Sequence, residues 1–125
     1  LERLDENLAQ TAAALERGEP IVQLDVEFHA LIAEISGNRA LNLAREPISR
    51  LFFPAFQRVM ERVPVAGQRL LEAHRAVTAA VRAGDAEAAG LWMTRHALDF
   101  RRGLDLAEVD VSTAIVEIHA SREVS

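Results

Sequence analysis

The sequence predicts an all-α protein, an antiparallel helical bundle built around a central pocket. Apolar residues recur at spacings of three and four over most of the chain, which is the period of a helix with one buried face. Half of the 125 residues are apolar, Tyr and Cys are absent, and 6 Gly and 4 Pro are too few for a strand-and-turn protein. Three of the four histidines and one aspartate fall on the apolar stripes, so the bundle has polar groups to accommodate in its interior.

The elements follow in order. Leu1, Leu4, Leu8, Ala12 and Leu15 mark a first helix that stops at Gly18 in the Arg17-Gly18-Glu19-Pro20 turn. Pro20 suits the first turn of a second helix, whose stripe of Ile21, Leu24, Phe28, Leu31, Ile32 and Ile35 ends at Ser36-Gly37-Asn38. Asn38 is placed to cap a third helix carrying Leu41, Ile48, Leu51, Phe52, Phe56 and Val59, with a kink or split expected at Pro47 and Pro54. After the break at Val63-Pro64-Val65-Ala66-Gly67, the residues Leu70, Leu71, His74, Val77, Thr78 and Val81 define a fourth helix up to Gly84. Asp85 is a good N-cap for a fifth, with Ala88, Ala89, Trp92, Met93, His96 and Phe100 on one side, and the last two helices form an antiparallel hairpin. Beyond Gly103 the pattern loosens, and the β-branched residues Val109, Val111, Ile115 and Ile118 fit a short helix or an extended piece equally. Residues 1–104 are therefore taken as the domain and 105–125 as a tail of open structure.

Composition excludes several classes of function. The net charge is −5 and all 14 basic residues are Arg, scattered along the chain, whereas a surface that contacts nucleic acid concentrates its basic residues to neutralise phosphates. No apolar run approaches the ~20 residues of a membrane span, and the opening LERLDENLAQ lacks the layout of a signal peptide, so a cytoplasmic protein is expected. Without Cys, any soft-ligand metal chemistry must come from His.

Asp25 and His29 lie four apart on the second helix and project from one face. His74 precedes Gly84 by ten residues and His96 follows it by twelve, which puts them about 15 Å and about 18 Å from the hairpin turn and so nearly level. Taken alone, each His reads as a hydrogen-bonded core histidine, and Asp-x-x-x-His is also an ordinary surface pair. Together, three imidazoles and a carboxylate on apolar faces would be costly to bury unpaired, and one divalent cation satisfies all four. His119 stands apart in the tail. The donor set suits Zn, Ni, Fe, Co or Mn, in a closed tetrahedral site or a six-coordinate one with two water positions. One carboxylate leaves the centre about one net positive charge, so an open site in an apolar pocket would favour a small anion, most naturally a carboxylate.

The run Leu24-Asp25-Val26-Glu27-Phe28-His29, continuing to Ser36-Gly37-Asn38, closely resembles the Asp-x-x-Phe-His and Ser-Gly-Asn segment of FCD domains, the ligand-binding half of FadR-subfamily GntR transcription regulators. Glu72-Ala73-His74-Arg75-Ala76-Val77 resembles that family's Glu-His region with one residue inserted, and Gly84-Asp85-Ala86-Glu87 with Met93-Thr94-Arg95-His96 matches its last helix. The resemblance spans roughly residues 5–104 and implies a homodimer whose helical bundle holds a divalent metal on Asp25, His29, His74 and His96. It also implies that metabolite acids bound there change the DNA affinity of an attached winged helix-turn-helix. Two departures stand out. The chain contains no winged-helix segment, and its start corresponds to the second helix of the family's bundle, so it reads as a piece of a longer regulator.

Arg50, where the family often has an effector-facing Arg, is either a bidentate clamp on a carboxylate or a surface residue. Thr78, one turn past His74, either offers a hydroxyl to the ligand or back-bonds within its helix. The rival class is a metal-dependent enzyme on the same three-His, one-Asp site. It needs a general base, and among residues sharing a face with the ligands only Asp99 offers another carboxylate, which could equally orient His96. A di-iron bundle would need Glu-x-x-His pairs, and none occurs. The third class is a structural dimerisation module stiffened by metal.

Overall fold

The computed structural model describes residues 1–37 and 53–108. They contain helices α1 (Glu2–Glu16), α2 (Val22–Ser36), α3 (53–62), α4 (Ala66–Arg82) and α5 (Ala86–Leu106), and no strand among the described residues. Helices α4 and α5 form the expected antiparallel hairpin, and α1 packs on both α2 and α4.

Local chemistry explains the boundaries. Gly18, Gly37 and Gly84 take positive φ at the ends of α1, α2 and α4, a conformation costly for residues with a Cβ. The Asp85 side chain accepts a hydrogen bond from the Ala88 amide at 2.9 Å, capping α5 as expected. Pro20 lies just outside α2 rather than in its first turn, because Ile21 is the N-cap and its carbonyl receives the Asp25 amide at 2.9 Å. Pro54 lies in the helical stretch 53–62. Asn38, Pro47, Arg50 and residues 109–125 of the tail, with His119, fall outside the described residues, whereas the start of the tail is the last turn of α5.

On α1, Leu4 is buried and Leu8 and Leu15 pack against the core as the stripe predicts, but Leu1 is exposed and the fully buried face also takes in Asn7, Thr11 and Ala14. Inside the bundle the Asn7 amide nitrogen donates to the Leu24 carbonyl at 2.9 Å and the Thr11 hydroxyl to the Asn7 carbonyl at 2.8 Å, while the Asn7 Oδ1 is buried with no partner among the described residues. Beyond Gly103, where the sequence left helix and extended chain open, α5 continues to Leu106. Gly103 is a buried position inside α5, where a Cβ would lie 3.0 Å from Val59 Cγ1, so its lack of a side chain lets α5 approach α3.

The core has two apolar layers. One is formed by Leu4, Phe28, Leu31 and Val77, with Met93 against it; the other by Ala14, Ile21, Phe56 and Leu70, with Phe100 against it. On α2, α4 and α5 the polar residue lies between members of the two layers. Asp25 separates Ile21 from Phe28, His74 separates Leu70 from Val77, and His96 separates Met93 from Phe100. A polar seam thus crosses the bundle between two apolar layers.

Candidate metal centre

Asp25 occupies the first turn of α2, where the helix dipole favours a carboxylate, and His29 follows one turn later on the same face. His74 lies mid-way along α4, essentially buried at 1% exposure, and His96 lies opposite it on α5. The structure brings the four side chains together, with one donor atom from each within 4.8 Å of all the others. Asp25 Oδ1 is 3.4 Å from His29 Nε2 and 3.4 Å from His74 Nε2, and His74 Nε2 is 3.1 Å from His96 Nε2. For metal–ligand bonds of roughly 2.1 Å, neighbouring donor atoms lie about 3.0–3.4 Å apart, so these spacings fit donors around one ion, and without an ion the 3.1 Å contact is a hydrogen bond between the two imidazoles.

Two further observations fit the same group. Asp25 Oδ1 is buried with no well-formed hydrogen bond among the described residues, its two imidazole neighbours lying 3.4 Å away. A buried carboxylate oxygen left so is expensive, and a cation in the cluster would satisfy it. The imidazole of His74 also lies flat on Phe28, ring centroids 3.7 Å apart and planes 8° from parallel, which fixes its orientation.

Electrostatics keep the cluster in the form that binds cations. Burial pushes Asp25 toward the protonated state, but the imidazoles of His29 and His74 outweigh it and hold the carboxyl well below the usual carboxylate range. Burial pushes His74 below 6.5, with Asp25 opposing, and pushes His96 down to about 4, helped by His74 and His29. Burial thus favours the neutral form of His74 and His96, beside a carboxylate held ionised, and these are the forms in which such residues ligate a metal.

The centre is not sealed. Asp25, His29 and His96 open on a cavity of about 250 Å³ whose other walls include Phe56, Leu70 and Phe100. His96 also borders a second cavity of about 290 Å³ that contains Arg69, Asp99 and Arg102.

The comparison with protein-family models decides the lineage, because the model of the FCD domain matches residues 1–99. The chain belongs to the FCD domain family. No curated protein and no solved structure matches it significantly. Within this FCD domain, the four residues singled out in the sequence converge, whereas Thr78 takes the second course open to it. Its hydroxyl donates to the His74 carbonyl at 2.9 Å, from a buried position one turn along α4. Asp99 does not serve His96: its carboxylate is gripped by Arg69, whose Nε lies 3.1 and 3.0 Å from the two oxygens. Sequence reasoning missed two residues. Phe28 was visible only as one more apolar position, although its place beside His29 was a usable signal. Arg69 carried no signal, since it lies five residues from His74 and shares no helical spacing with it.

Proposed function

We propose that this FCD domain is the effector-sensing part of a GntR-family, FadR-subfamily transcription regulator. In this reading Asp25, His29, His74 and His96 hold one divalent cation, such as Zn or Ni, and a small carboxylate metabolite binds at that cation. The bound acid alters DNA binding by an attached domain outside these residues, and the chain works as a homodimer. The observation that carries the reading is the convergence of four donor atoms within 4.8 Å, one of them the unsatisfied buried Oδ1 of Asp25.

The cation would neutralise the carboxylate and supply a positive centre facing the cavity of about 250 Å³, whose apolar walls strengthen attraction for an anion. Arg50 is the further clamp suggested by the sequence, and Thr78 acts on this site through the His74 backbone. A hydrolytic or oxidative enzyme on the same centre is disfavoured by Asp99, the candidate base, which is tied to Arg69. No helix among the described residues is long and apolar enough to cross a membrane.

Metal analysis combined with a thermal-shift screen of organic acids tests the reading. The purified chain should carry a stoichiometric divalent metal, small di- or hydroxycarboxylates should raise the melting temperature of the loaded protein, and His74→Ala should abolish both. A metal-loaded chain indifferent to every acid would refute the sensor role.

A further inference from the structure

Arg69 and Asp99 join the start of α4 to the middle of α5 through a planar fork. The Arg69 Nε–H is shared between both carboxylate oxygens at 3.1 and 3.0 Å, and an Nη lies 2.5 Å from Oδ1. This is how a guanidinium recognises a carboxylate in general, whether the acid belongs to the protein or to a ligand. The pair is not locked into the core. The Arg69 side chain is 56% exposed and that of Asp99 29%, so water and other anions compete for the fork.

Its location gives it a role. Arg69, Asp99 and His96 line the same cavity of about 290 Å³, together with apolar residues such as Val59, Leu70 and Phe100 and with Arg102. Two guanidinium groups against one carboxylate leave that cavity cationic in a chain whose net charge is −5. Asp99 follows His96 by three residues, about 4.5 Å of rise, and His96, Leu70 and Phe100 line both this cavity and the one on which Asp25 and His29 open, so the two cavities adjoin at His96, between the centre and the fork.

We propose that Arg69 is a second anion anchor for the ligand of the four-donor centre, with Asp99 as its placeholder. A small molecule bearing two acid groups puts one at the centre and the other on the Arg69 fork, and Asp99 is released to solvent as the exchange occurs. The inference rests on the preceding reading that the centre holds a cation and receives a carboxylate; it adds that the preferred ligand is a diacid and names what selects it. A monoacid reaches the centre alone and leaves the Arg69–Asp99 pair in place.

Calorimetric titration of succinate and of acetate into the zinc-loaded 125-residue chain tests this, with zinc content measured for every variant. Arg69→Gln should weaken succinate about tenfold or more and leave acetate and zinc unchanged, because a charge-assisted bidentate contact is lost only for the diacid. Asp99→Asn should tighten succinate about threefold or more, since the competing carboxylate is gone while the side-chain shape is kept. Arg102→Gln should have a much smaller effect than Arg69→Gln, which separates an anchor from a general positive field. The inference is overturned if Arg69→Gln binds succinate like the parent, loses acetate equally, or loses zinc, or if Asp99→Asn binds succinate no more tightly. A zinc-loaded parent that binds neither acid overturns the carboxylate reading itself along with this one. A parent that binds both acids with no dependence on Arg69 overturns the anchor alone.

Discussion

His74 lies flat against Phe28, with ring centroids 3.7 Å apart and planes 8° from parallel, and both side chains are buried. Phe28 precedes His29 in the chain, so one helix supplies both a donor for the cluster and the platform that aims a second donor from α4. Phe28→Leu keeps most of the apolar volume and removes the platform. Stability should fall by about 1 kcal/mol, and affinity for zinc by about tenfold or more through the freed His74 ring. Denaturant titration and competition with a metallochromic chelator measure the two effects. Unchanged zinc affinity would show that stacking does not position the ligand.

Asp25 is the only carboxylate among the four donors, and its buried Oδ1 has no well-formed hydrogen bond among the described residues. Asp25→Asn is nearly isosteric and removes the negative charge. Divalent metal should bind at least about a hundredfold more weakly, since an anionic ligand becomes a neutral amide oxygen. The metal-free variant should stay folded. Retention of metal at parental affinity would place the ion elsewhere.

The metal-free domain should lose stability in acid. Burial holds His74 below 6.5 and His96 at about 4, whereas the unfolded chain protonates both at their ordinary values. Between those values the unfolded state binds more protons, so acidification favours unfolding; this contribution is complete above about pH 6.5 and is lost as pH falls toward about 4. Asp25, held below its ordinary 3.8, acts in the same direction at still lower pH. Denaturant midpoints in the presence of a chelator should fall steadily over that window, and His96→Gln should flatten the slope. A midpoint that stays level down to about pH 5 would contradict neutral burial of these imidazoles.

Metal should stabilise the native state by mass action. With free zinc at about a hundred times its dissociation constant, stability should rise by about 2.7 kcal/mol, and a chelator should reverse the gain. No such gain should appear in His74→Ala. A melting temperature insensitive to zinc in the parent would mean that the unfolded chain binds the ion equally well or that the cluster does not bind it.

Two glycines of α5 should respond in opposite directions. Gly90 has open space around its Cα, so Gly90→Ala should stabilise by about 0.5–1 kcal/mol through helix propensity alone. Gly103 faces Val59 Cγ1 at 3.0 Å from where a Cβ would sit, so Gly103→Val should destabilise by about 1–3 kcal/mol as α5 is pushed from α3. Thermal or chemical unfolding compares the two directly.

The all-α class, the hairpin of α4 and α5, the cap at Asp85 and the pairing of donors within α2 and across the hairpin were legible in the chain because each depends on local spacing, whereas the meeting of the two pairs was expected from their apolar surroundings and the FCD resemblance. Helical period alone puts Asp25 and His29 on one face and sets His74 and His96 level across a turn. What lay beyond reach depends on which helix packs against which, and in what rotation. Asn7 is held in the core by the Leu24 carbonyl on α2, which receives its amide, and Gly103 is buried because Val59 of α3 lies against it. Arg69 takes Asp99 away from His96 across a sequence separation of thirty residues. Helical period is a property of consecutive peptide units, whereas partner choice is settled only when separate faces compete for the same polar atom. The donors themselves were therefore readable, and the fork beside them was a decision of tertiary packing.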